Sequence, residues 1–276
     1  MKTVYFDTNV YTHIRYLHYD ITTADVVRLI SKIEGFKLRV YVSSVVLDET
    51  TSAILSDRKQ ALERLELILR IAKRNQVLIR YQDIIDKVVQ AYATGTQAQG
   101  FLEPPPFRLK EVLKNPSAQT KTALREIATE SQEAIEKRKQ SNRELFEKIW
   151  PLAKEEKTEG KQQSFEDYWN EHSPLVAEKF ADLAGVLEEC KAKGLGGLLE
   201  TTVIKTIAVA MLSQGYSNTY LKSSIPRGDF NDLQHAIYGA ALGTLVTHDD
   251  TFADHLKRLA IDGFEVIDIH TLLSRL

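Results

Sequence analysis

Apolar residues in this chain recur in two rhythms, the alternate or continuous runs of strands and the three-to-four spacing of helices. Lys2 to Phe6 is a short run rich in β-branched and aromatic residues that stops at Asp7. Thr8 and Asn9 then supply turn and capping chemistry before a helical stretch from about Val10. Asp25 to Ile33 has helical spacing and ends at Gly35, and Leu38 to Val42 alternates as a strand does. Ser43 and Ser44 cap a following helix whose first turns carry Asp48 and Glu49. Leu62, Leu65, Leu69 and Ile71 or Ala72 predict a helix over 57–75, Val77 to Ile79 a brief strand, and 82–93 a further helix.

The pattern changes after residue 94. Gly95 to Gly100 followed by Pro104, Pro105 and Pro106 reads as a break that no regular element crosses. Residues 107–163 carry 13 basic and 10 acidic side chains in alternation, so this stretch reads first as a solvated helical surface and second as a substrate-binding or partner-binding arm. Phe165, Tyr168 and Trp169 open a more apolar helical section that reaches Gly194 to Gly197. Strand and helix rhythms then resume: Leu198 to Leu212 helix, 228–243 helix, Thr244 to Thr247 strand, Thr251 to Leu259 helix, Glu265 to Ile267 strand, His270 to Leu276 helix. Strands separated by helical crossovers predict a three-layer α/β/α sandwich with a central parallel sheet. The expected division is a core in two parts, 1–94 and 198–276, with a helical insertion at 95–197.

Composition narrows this only slightly. The chain has 276 residues, 43% of them hydrophobic and 27% charged, which suits a folded protein with a substantial core. A net charge of −2 means that any nucleic acid must be met by a local basic surface or by metal ions, not by the field of the whole molecule. The single Cys190 cannot form an internal disulfide and fits a reducing compartment. The first residues lack a charged start with an apolar stretch, and no segment has the length of a membrane span, so a cytoplasmic location without membrane contact is expected.

Candidate chemistry lies at the strand ends. Asp7 follows the first strand, Glu49 stands in the helix after the second, Asp232 opens an apolar helix, and Asp249 follows the strand that ends near Thr247. Each has an ordinary structural explanation: helix capping for Asp7 and Asp249, a favourable helix dipole for Glu49, and a surface position for Asp232. Together they fall where open α/β sheets place ligands. Carboxylates converging there repel one another, and magnesium or manganese, which prefers oxygen ligands, would relieve the repulsion.

These motifs resemble the PIN-domain nuclease family. The resemblance rests on Asp7-Thr8-Asn9 after an apolar strand, Val46-Leu47-Asp48-Glu49, Asp232-Leu233-Gln234-His235-Ala236 running to Ala241, and Thr247-His248-Asp249-Asp250-Thr251-Phe252. It covers about 1–95 and 198–276. It implies hydrolysis of phosphodiester bonds, usually in RNA, dependent on magnesium or manganese. Asp7, Asp232 and Asp249 would be metal ligands, Glu49 would hold a second ion or orient water, and Asp229 and Asp250 could supplement their neighbours. Thr8, Asn9 and Thr247 would position carboxylates or phosphate. The insertion departs from the compact toxin members of the family, so a toxin role with an antitoxin partner is an alternative, as is a non-catalytic module that binds RNA or protein.

Other polar residues could touch a substrate. His13, Arg15, Tyr16, His18 and Tyr19 crowd the first helix, where they could stack on bases or meet phosphate of a single-stranded or structured RNA; an amphipathic helix explains them equally well. Lys222 and Arg227 precede the third acid and could meet phosphate. His235, His248 and His255 are expected to be structural or to support the site from outside the ligand set. A protein partner on the insertion and a homo-oligomer are left open.

Overall fold

β1 (Lys2–Phe6) takes the middle of the sheet because Val4, Tyr5 and Phe6 are apolar in succession, as a strand covered on both faces requires, and all three are fully buried. The structure is a computed structural model that describes residues 2–105, 120–149, 163–220 and 229–276, some of them by backbone alone. β2 (Leu38–Ser43), β3 (Ala72–Leu78), β4 (Leu102–Glu103), β5 (Thr244–Val246) and β6 (Glu265–Ile267) complete a six-stranded sheet in the order β4-β3-β2-β1-β5-β6. All pairings are parallel except β3 with β4. The register runs from Lys2 opposite Leu38 to Tyr5 opposite Tyr41, and on the other side of β1 sets Phe6 against Val246.

The helices are α1 (Thr8–Tyr16), α2 (Thr23–Glu34), α3 (Ser44–Ser52), α4 (Arg58–Ile71), α5 (Tyr81–Thr94), α6 (Lys121–Ile149), α7 (Phe165–Leu183), α8 (Leu187–Lys193), α9 (Leu195–Leu199), α10 (Thr202–Tyr220), α11 (Asp229–Leu242), α12 (Asp250–Lys257) and α13 (Ile269–Ser274). This is an α/β fold with a mostly parallel sheet, an arrangement compatible with a three-layer sandwich. Among the described residues no helix is long and apolar enough to cross a membrane.

Two elements differ from expectation. The helix expected over 57–75 stops at Ile71, and the polar residues from Lys73 to Gln76 belong to β3, whose register against β2 is irregular between Val40 and Val42. A bulged strand loses the period that would mark it. β4 lies within the segment read as a break: Glu103 pairs with Val77 and Leu102 with Leu78, a strand too short to carry any rhythm.

Side chains from the 95–197 segment share the main core. Tyr168, Val176, Ala177, Phe180 and Ala181 of α7 and Cys190 of α8 join the cluster that contains the strands. α6 lies along α3, and its Leu124 and Ala128 close a smaller cluster with Ile54, Ala61 and Leu65. α11 packs on β1 and β5, against α10, and also touches α6.

Candidate functional site

The chain leaves β1 toward β2 on one side and returns beside β1 as β5 on the other, so the order of connections reverses at the β1–β5 boundary. In open parallel sheets the crevice beyond the carboxyl ends of such strands is the usual ligand site. Asp7 and Thr247 are the residues that follow these two strands, and they meet there. The Asp7 carboxylate, only 6% exposed, accepts a hydrogen bond from the Thr247 hydroxyl at 2.9 Å and one from the Asn9 backbone N–H at 3.0 Å. The second bond caps α1. Asp7 N–H continues the ladder to the Val246 carbonyl at 3.1 Å, which ties the residue to β5 by its main chain as well.

Glu49 enters from α3. Its carboxylate accepts a hydrogen bond from the Thr8 hydroxyl, so the residue beside Asp7 draws Glu49 to this edge of the sheet. His235 of α11 approaches from the other side, with Nε2 3.8 Å from the same Glu49 oxygen, an ion pair whenever the ring is protonated. The other ring nitrogen, Nδ1, lies 2.8 Å from the Tyr5 hydroxyl, which is also 2.8 Å from the Ser43 hydroxyl. Tyr5 and Asp7 are two residues apart and share a face of the strand direction. Burial first, eased by the Ser43 hydrogen bond, keeps the Tyr5 phenol well above its ordinary range and therefore neutral. The sequence alone marked Ser43 only as a helix cap and Tyr5 only as a strand residue, and gave neither a place at the site. The signal was present: a tyrosine in a fully buried central strand needs a partner for its hydroxyl.

The remaining expected residues divide. Asp249 is partly buried, and its carboxylate accepts from the Phe252 backbone N–H at 2.8 Å, capping α12. Its own N–H donates to the Thr247 hydroxyl at 3.1 Å, so Thr247 joins Asp7 to the Asp249 turn. Asp250 is exposed in the first turn of α12. Asp232, partly buried, precedes His235 by three residues on α11 and so shares the helix face that meets Glu49. Asn9 contributes its N–H, while its residue is exposed. Arg15 turns to Glu63, with 3.5 Å between the charged groups, and is not brought to the carboxylates by that contact. Arg227, Lys222 and the Asp229 side chain lie outside the described residues.

An aromatic rim borders the carboxylates. The Tyr19 ring stacks on His248, centroids 4.7 Å apart and planes at 12°, and His13 stands edge-on to both, 4.6 Å from Tyr19 and 4.8 Å from His248. Burial, then the neighbouring His248 and His18, pushes the His13 imidazole down. Burial also pushes His248 down, against the pull of Asp268. Both rings are thereby biased toward the neutral form.

Among the described residues, no group of three or more His, Cys, Asp and Glu side chains is arranged to hold a metal ion. What the crevice offers is an oxygen donor set: Asp7, Glu49 and the hydroxyls of Thr8 and Thr247. Each Asp7 oxygen accepts one hydrogen bond and retains acceptor capacity. Such a set fits magnesium or manganese, which commonly take one or two carboxylates and complete their shell with water and phosphate, and it does not fit a closed cage of side chains. No family model, curated protein or solved structure matches the chain.

Proposed function

We propose that this protein is a divalent-metal-dependent endoribonuclease with a PIN-like core. One observation carries the proposal: Asp7, at the carboxyl end of the central strand, is buried at the reversal point of the sheet and held there by Thr247, the residue that follows the adjacent strand. Thr8, the next residue, brings Glu49 to the same edge. A buried carboxylate whose hydroxyl and N–H donors fix its orientation is suited to hold a magnesium or manganese ion. Such an ion, when bound, supplies a more acidic water and compensates charge on phosphate.

The chain's own residues then have separable tasks. Asp7 binds, with its oxygens oriented by Asn9 N–H and Thr247. Glu49, at the edge of the crevice and flanked by Thr8 and His235, is suited to accept a proton from an attacking water. Tyr5 and Ser43 orient His235 from below. Asp232 and Asp249 lie on the elements that bound the crevice, the first one helical turn from His235 and the second capping α12.

A second reading, binding of RNA without hydrolysis, is favoured by the Asp249 carboxylate being engaged as a helix cap. Cleavage of a pool of labelled single-stranded and structured RNAs separates the two. With magnesium or manganese the wild type should cut, EDTA should stop it, and Asp7→Asn should lower the rate by at least about a hundredfold, as removal of a principal electrostatic group does. If Asp7→Asn cuts as fast as wild type, the site is elsewhere. If neither cuts but both bind RNA, the second reading holds.

A further inference from the structure

Tyr19 is out of place as a surface residue. Its side chain is large and apolar, it is 59% exposed, and the α1–α2 connection holds it there through left-handed backbone at Leu17, Tyr19 and Asp20, a conformation uncommon for residues other than glycine. Leu17 ends α1 in that conformation, with the His18 N–H bonded to the His13 carbonyl, and the turn that follows lifts Tyr19 over His248. One face of the phenol is covered by the His248 imidazole, nearly parallel, and one edge by His13. The exposure of the ring comes from its outer side. His248 follows Thr247, whose hydroxyl holds Asp7, and the Asp7 charge is felt by both His248 and His13, so the rings that carry Tyr19 stand beside the carboxylate crevice.

From this geometry we infer that Tyr19, backed by His248 and braced by His13, is a stacking platform for one unpaired nucleobase of a single strand whose backbone enters the Asp7 crevice. The inference rests on the nuclease reading for its substrate class, but its evidence is separate: a supported, outward-facing aromatic ring beside a site for phosphate. A base needs a flat π-face of about this area and no sequence-specific donor, and the Tyr19 ring supplies such a face. A duplex keeps its bases stacked internally and could not use the platform. Stacking selects strandedness more than sequence, so the site should accept many base identities and reject paired ones.

The test measures binding and cleavage separately. Fluorescence anisotropy of a short labelled single-stranded RNA is followed in EDTA with the full chain. Tyr19→Ala should bind about 5- to 30-fold more weakly, in the lower half of the range for a base stacked on an aromatic side chain because the site is open to solvent. Tyr19→Phe and Tyr19→Trp should bind like wild type. A strand in which one nucleotide at a time is made abasic should lose the same factor at a single position with wild type, and nothing at that position with Tyr19→Ala. This comparison stays decisive if Tyr19→Ala folds poorly, because the abasic series on wild type stands alone. With magnesium, the Tyr19→Ala defect should fall on KM and leave kcat within about twofold.

Equal affinity of wild type and Tyr19→Ala, or abasic losses spread evenly along the strand, would overturn the platform even if RNA is cut. Position-specific abasic loss without any metal-dependent cleavage would support the platform and remove the hydrolytic reading. Absence of any RNA binding would overturn the platform outright.

Discussion

Arg138→Met should destabilise the protein by about 3 kcal/mol. The Asp48 side chain has 0% exposure and its carboxylate accepts from Arg138 Nη1 of α6 at 2.6 Å, across 90 residues of sequence. Arg138 retains 20% side-chain exposure, but its Nη2 is buried and its Nη1 is spent on Asp48, so the guanidinium that neutralises this carboxylate is itself largely withdrawn from water. Removing one partner of a buried pair typically costs about 3–5 kcal/mol, because the surviving charge remains in the interior. The lower end applies here, because Asp48 keeps a further interaction when the guanidinium is removed. Asp48→Leu should cost a similar amount by stranding the guanidinium. The double variant Asp48→Leu/Arg138→Met should return to within about 1 kcal/mol of wild type, because two apolar side chains replace a desolvated ion pair with little net change. Urea unfolding midpoints for the four proteins give the cycle directly, with the shared slope as a check on two-state behaviour. Single variants within about 0.5 kcal/mol of wild type, or single losses that simply add in the double, would show that α6 is not locked to α3 by this pair.

Two further outcomes follow from packing and titration. Gly239→Ala on α11 should lower stability by about 1–3 kcal/mol in the same urea assay, despite the higher helix propensity of alanine, because the added Cβ would lie 2.6 Å from Leu245 Cβ and 3.1 Å from its Cα on β5; an unchanged or raised midpoint would refute the close approach. His255 has its pKa pushed down first by burial and then by Arg258, with Asp249 and Asp254 pulling weakly the other way. The unfolded chain therefore takes up the proton first, so the stability this histidine contributes is complete above about pH 6.5 and is lost as pH falls through the lower native value. His255→Gln should flatten part of that acid slope in thermal melts, and an identical slope would show that the ring is not buried beside Arg258.

Much of the layout was legible in the sequence because strand ends announce themselves chemically. Phe6-Asp7 is the limit of a buried run followed by a helix cap, and Ser43 and Asp249 do cap the helices that follow their strands. These are local signals. β3 and β4 were missed or misplaced because their identity comes from pairing with distant backbone, which leaves no mark on residues such as Lys73 to Gln76. The carboxylate positions were legible one by one, but their relations were not. Spacing cannot tell that Glu49 turns to Thr8 and His235 while its neighbour Asp48 turns away to Arg138. Two consecutive acids on one helix thus serve opposite ends, one the crevice and one the scaffold.

That division joins packing to the site. α11 approaches β5 closely because residue 239 lacks a side chain, and Ala236 and Ala240 are also small and buried there. The close approach brings His235, one turn earlier, within hydrogen-bonding distance of Tyr5 on β1 and within ion-pair distance of Glu49 on α3. α3 is in turn fixed from outside by Arg138 through Asp48. Glu49 is therefore set between two buttresses, one made of small apolar residues and one of a buried ion pair, and each can be weakened without touching the crevice. If the site works as proposed, Gly239→Ala and Arg138→Met should reduce activity by displacing Glu49 from the two sides, while leaving the bond between Asp7 and Thr247 intact. Loss confined to stability, with full activity in the folded fraction, would mean instead that Glu49 is a scaffold residue and that the chemistry rests on Asp7.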